Sequence, residues 1–95
     1  MSKRDAYVDK VKAKLDEWNA EIDKLNAKAR AAEASSRVEY DEQIERLKKH
    51  RSDVQRELED LQQASRDAWG DFQKGVESAW DSMDKAVRDA WKHFR

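Results

Sequence analysis

Two histidines, His50 and His93, are where acid–base or metal chemistry would first be sought in this chain, and neither stands in a usable pattern. A helical di-metal site wants a Glu three residues ahead of its His, so that both ligands share one helix face. Those positions hold Leu47 and Ala90. His50 sits in the short basic run Lys48-Lys49-His50-Arg51, with Glu42 and Glu45 about one turn away, so it reads as a solvated helix face. Glu39, Asp41, Glu42 and Glu45 would hold a cation only weakly, and Glu42 to Arg46 and Glu45 to Lys49 are spaced as helical ion pairs. No serine has a His placed to activate it, and no glycine-rich phosphate loop exists. With no cysteine, disulfides and thiolate metal sites are excluded. The expectation is a protein that is not an enzyme, with no catalytic, cofactor or metal residues and no small-molecule substrate.

The remaining information lies in the helices that would have carried such groups. The chain has 95 residues, of which 43% are charged, yet 20 basic and 21 acidic side chains leave a net charge of −1. That balance argues against nucleic acid as a partner, because a phosphate backbone is bound by a basic surplus. Apolar runs are far short of the ~20 residues that span a bilayer, and the first ten residues, MSKRDAYVDK, have no apolar signal-peptide core. The expected location is the cytoplasm, including the periphery of a membrane.

Proline is absent, so nothing forbids helix throughout. Ser2 with Asp5 is a suitable N-cap pattern. The series Val8, Val11, Leu15, Trp18, Ile22, Leu25, Ala29, Ala32 alternates steps of three and four, which is a heptad seam. A second series, Tyr40, Ile44, Leu47, Arg51, Val54, Leu58, Leu61, Ser65, keeps the rhythm with one charged member. A turn is expected at Ala34-Ser35-Ser36-Arg37, where Ser36 and Glu39 form a capping-box pattern. Folding back there sets Trp18 opposite Arg51, which predicts a cation–π contact of about 1 kcal/mol. Ala64-Ser65-Arg66-Asp67 is a second turn candidate. The rival is a continuous rod, with the seam passing through Ser36 by a stutter and Glu33 paired to Arg37.

Beyond residue 66 the pattern changes. Trp69, Trp80 and Trp91 stand at intervals of eleven, within the similar segments DAWGDFQKGVE, SAWDSMDKAVR and DAWKHFR. Eleven residues make almost three helical turns, so each copy shows the same face. Trp69, Phe72, Val76, Trp80, Met83, Val87, Trp91 and Phe94 fall within an arc of about 100°, and a strip of small residues (Ala68, Gly75, Ala79, Ala86, Ala90) runs beside them. Such a face is either a core, packed on the first two helices or on another copy of the chain, or a surface for lipid headgroups, where an indole is half wet. Eleven-residue amphipathic repeats also occur in exchangeable apolipoproteins and in desiccation-protection proteins, a likeness of repeat length only. Six basic and six acidic side chains over residues 66–95 give little attraction to anionic lipid.

The segments KLDEWNAEIDKL (14–25), VEYDEQIERL (38–47) and AWGDFQKGVESAWDSM (68–83) resemble those of an uncharacterised family of small bacterial coiled-coil proteins, some described as stress-inducible. The resemblance extends over nearly the whole chain. It implies a soluble bacterial protein with a stress role, and it supplies no catalytic residue, cofactor or partner.

Together these readings predict an all-α chain: an antiparallel helical hairpin over residues 1–64, then a C-terminal amphipathic helix over 65–95. The alternatives are a three-helix bundle or one continuous helix. Val11, Leu15, Trp18, Ile22, Leu25, Ile44, Leu47, Val54, Leu58 and Leu61 are expected to hold the hairpin. The eight large residues from Trp69 to Phe94 are expected to form an assembly or lipid-binding face. The expected function is a non-enzymatic homo-oligomer, structural, scaffolding or stress-protective, since a lone hairpin cannot cover the widest face unless the third helix folds back. The alternatives are a peripheral lipid-surface protein and an adaptor for another coiled-coil protein.

Overall fold

A computed structural model describes residues 3–93. Ser2, half of the expected first cap, and Phe94, the last member of the aromatic face, lie outside the described residues. Three helices follow one another, α1 (Lys3–Ala31), α2 (Ala34–Gln63) and α3 (Trp69–His93), with no strand among the described residues. The extents are 51 × 21 × 18 Å, close to the ~45 Å length of one thirty-residue helix. All three therefore lie side by side, and α3 folds back along the hairpin. The continuous rod is excluded.

The heptad seams account for the core. All ten expected hairpin residues are buried, and Ala29 joins them. From α3, Val76, Met83 and Ala90 are fully buried. Those three are spaced by seven, so α3 keeps a heptad line at the centre of its eleven-residue face. The tryptophans flank that line.

The first turn lies earlier than expected. The break falls at Ala32 and Glu33, and α2 already begins at Ala34. Glu33 is the N-cap, with φ −65° and ψ 155°, and no side chain caps the helix. Ser36 and Glu39 fall inside α2 and form no capping box; the amides of Ser36 and Arg37 both donate to the Glu33 carbonyl at 3.0 Å. The physical reason is Arg37. Its guanidinium reaches back to the carbonyls of Ala29 (3.3 Å), Arg30 (3.4 Å) and Ala32 (3.3 Å), satisfying acceptors that the end of α1 leaves open. The pairing of Glu33 with Arg37 that a continuous rod would have used is replaced by these bonds. The second turn falls where expected: Ala64 is extended, and the Ser65 hydroxyl accepts the Ala68 amide at 3.3 Å, ahead of α3.

The expected Trp18–Arg51 contact does not form. Arg51 Nη1 donates instead to Asn19 Oδ1 at 2.9 Å. Trp18 meets Trp80 edge-on, with centroids 5.4 Å apart, because α3 occupies the flank where a guanidinium would have lain. Glu45 pairs with Lys48 at 3.8 Å rather than with Lys49.

Two substitutions test this account. Arg37→Ala should lower stability by about 1 kcal/mol, a fall of ~4–8 °C in the thermal midpoint; an unchanged midpoint would remove Arg37 as the turn's clamp. At Gly75, an added Cβ would meet Glu57 Oε2 at 2.6 Å, the movable end of a side chain. Gly75→Ala should therefore raise stability by up to ~1 kcal/mol through helix propensity, and a loss of that size would mean the carboxylate cannot yield.

Candidate functional site: the tryptophan seam between α1 and α3

The two flanks of α3 meet different neighbours at different distances. Relative to the line through Val76, Met83 and Ala90, Trp80 and Trp91 lie about 60–80° to one side, and Gly75, Ala79 and Ala86 about 40–80° to the other. The α2 and α3 backbones run close together, as do those of α1 and α2, whereas α1 and α3 approach within 8 Å at hardly any point. Gly75 faces Glu57 of α2, and Ala86 lines a groove with Gln43, Arg46 and His50 of α2. Small residues thus allow close approach to α2, and indoles fill the wider gap to α1.

Trp69, Phe72, Trp80, Val87 and Trp91 are half-buried against the core. Tyr7 of α1 meets Trp69 edge-on at 5.5 Å, an arrangement matched by Trp18 on Trp80. Such pairs contribute ~0.5–1.5 kcal/mol beyond their buried area. Cations of α1 lie over the rings: Arg4 over Trp69 at 5.6 Å, Lys10 and Lys14 over Trp80 at 5.9 Å, and Lys28 over Trp91 at 4.9 Å.

Four indoles in so small a core raise the question of four N–H donors. Three donate to carboxylates. Trp18 Nε1 donates to Asp84 Oδ1 and Trp80 Nε1 to Asp84 Oδ2, both at 3.1 Å. Trp91 Nε1 donates to Glu21 Oε2 at 2.7 Å. The Trp69 N–H is buried without a partner among the described residues, as is Arg51 Nε. Lys14 Nζ stands 3.1 Å from Glu17 and 3.6 Å from Asp84. Its ammonium is held above the ordinary lysine range, first by the hydrogen bond to Glu17, then, against the opposing effect of burial, by the charges of Asp84 and Glu17. Burial, aided by the charge of Glu77, likewise pushes the Tyr7 hydroxyl up.

These carboxylates were not among the expected site residues. The available signal was the spacing of Trp80 and Asp84, one helical turn apart. The histidines stay apart from this seam: His50 lines the α2–α3 groove, and His93 Nε2 lies 3.3 Å from Glu39 at the far end of α3. No group of three or more His, Asp or Glu side chains suited to a metal ion occurs among the described residues.

No protein-family model matches the chain, and neither a curated protein nor a solved structure does so.

Trp80 carries the densest contacts of the seam. Trp80→Ala should destabilise by ~2–4 kcal/mol, and Trp91→Phe, which loses the Glu21 bond and part of the ring under Lys28, by about 1–2 kcal/mol. Thermal unfolding followed by circular dichroism checks both, and equal midpoints for Trp80→Ala and the wild type would mean that α3 is not held on α1 in this way.

Proposed function

We propose that the protein is a non-enzymatic helical bundle whose working surface is the tryptophan face of α3, and that this face acts at the surface of phospholipid. The observation that carries the reading is the half-burial of Trp69, Trp80 and Trp91 along the one seam where two helices meet almost entirely through side chains. With α2 as a spine, α1 and α3 part and the indoles turn outward. An indole suits a headgroup layer because one end is apolar and the other donates a hydrogen bond. No helix among the described residues is long and apolar enough to cross a membrane, so the mode is contact with a surface. In α3 the bases Lys74, Lys85, Arg88 and Lys92 nearly balance the acids Asp71, Glu77, Asp81, Asp84 and Asp89, which favours zwitterionic over anionic lipid.

The second reading is self-association in a scaffolding or stress-protective role. Self-association is expected where α3 lacks cover, and in the folded chain α1 and α2 provide it. Val38 is the one large apolar side chain left openly exposed among the described residues. Assembly through α3 therefore works by exchange, in which α3 crosses to a second copy about the loop at residues 64–68 and remakes the same contacts there. The stress role itself comes from the resemblance carried by residues 14–25, 38–47 and 68–83.

Flotation of the protein with phosphatidylcholine vesicles, with tryptophan emission followed, tests the first reading. Flotation with a blue shift, lost when Trp80 and Trp91 are both replaced by Ser, is the expected result. A wild-type protein that stays with the aqueous phase and sediments as a concentration-dependent dimer would favour exchange instead.

A further inference from the structure

Within that lipid-surface reading, we propose that Asp84 is the latch that keeps the tryptophan seam closed. Each oxygen of its carboxylate accepts one indole N–H, from Trp18 of α1 and Trp80 of α3, both at 3.1 Å. One side chain thus ties together the two rings that meet edge-on in the middle of the seam. Lys14 of α1, 3.6 Å away, adds a cross-helix ion pair to the same carboxylate. Trp18 is nearly fully buried, so its N–H has little access to water when the acceptor leaves.

The eleven-residue repeat singles out this position. Four residues beyond each repeat tryptophan stand Gln73, Asp84 and Arg95, so only the middle copy carries a carboxylate there. At the first copy the Trp69 N–H has no partner among the described residues. At the third, Trp91 is held by Glu21 from the opposite helix and shares that acceptor with no second indole. A repeat used only as a smooth apolar face would not need this difference. A seam that must also be held shut gains most from a doubly bonded clasp in the middle copy, which leaves the shortest unclasped spans toward both ends. Asp84 remains part-exposed, at 38% of its side-chain surface, so polar groups arriving at the seam can reach it and compete for its bonds.

The test compares Asp84→Ala and Asp84→Asn with the wild type and with Asp81→Ala, which removes an equal charge from an exposed position one turn earlier in α3. All four tryptophans line the seam, so acrylamide quenching in buffer reads its opening without lipid. Loss of both hydrogen bonds should raise the open fraction, and with it the partition onto phosphatidylcholine vesicles, on the order of tenfold. Asp84→Asn, which retains one acceptor oxygen, should give a smaller rise, and Asp81→Ala should match the wild type. Melting by circular dichroism confirms that each variant is folded; a variant that does not melt cooperatively is replaced by Lys14→Ala, which loosens the same carboxylate from α1 and should shift quenching in the same direction. Quenching equal in the Asp84 and Asp81 variants overturns the latch, even if every protein floats. Increased quenching in the Asp84 variants while no protein floats upholds the latch and overturns the lipid-surface reading.

Discussion

The bundle depends on α3 facing two neighbours at two distances. On one flank a strip of small residues faces α2, whose backbone lies close; on the other, indoles span a wider gap to α1. A helix with large residues on both flanks would be pushed away from α2, and its tryptophans would overshoot Trp18. With small residues on both, the α1–α3 gap would be left as a cavity, with the loss of packing that follows. The central line of Val76, Met83 and Ala90 is buried only because both flanks are met at once.

The high charge of the chain follows from the same arrangement. Four tryptophans bring four N–H groups to a core with few polar partners of its own. The carboxylates of Glu21 and Asp84 answer three of them from the rim, while Arg4, Lys10, Lys14 and Lys28 lie over the rings from outside. The 43% of charged residues is therefore more than a solvated coat. Along α1 it forms the polar edge that lets an aromatic face close on so slender a domain. The end of the bundle shows the same economy: the Arg4 guanidinium donates to the carbonyls of Leu61 and Ala64 and lies over Trp69, so one α1 side chain joins the end of α2 to the start of α3.

Periodicity revealed the helices and their buried positions, since the alternation of three and four leaves one possible inward face, and all ten hairpin residues lie there. It misjudged what depends on distant partners. Ser36 and Glu39 match a local capping pattern, yet the turn is set by Arg37 reaching carbonyls of the preceding helix, an interaction that no window around Ser36 contains. Pairing Trp18 with Arg51 treats the hairpin as two helices alone. Once a third helix claims the flank of Trp18, the guanidinium turns to Asn19. Asp84 was legible only as a turn-spaced neighbour of Trp80. Its second partner, Trp18, is 66 residues away in sequence and appears only when α3 folds back.

The face of α3 was hard to assign to core or to partner because the same residues serve both. An apolar stripe with half-wet indoles is what a helix needs to sit on α1, and also what it needs to sit on lipid or on a second copy. Which occupant holds it is decided by a difference of a few kcal/mol between two such contacts, the scale on which small domains are stable at all. Amphipathicity alone cannot encode that difference, because it is common to every occupant. The asymmetry of the two flanks can. To leave α2, α3 must break a continuous close contact along its small-residue strip, whereas to leave α1 it must release side chains: two aromatic pairs, a few cations over rings, and the indole bonds to Asp84 and Glu21. The two flanks thus differ in kind: parting from α2 breaks close backbone packing, whereas parting from α1 breaks side-chain contacts alone and uncovers the tryptophans.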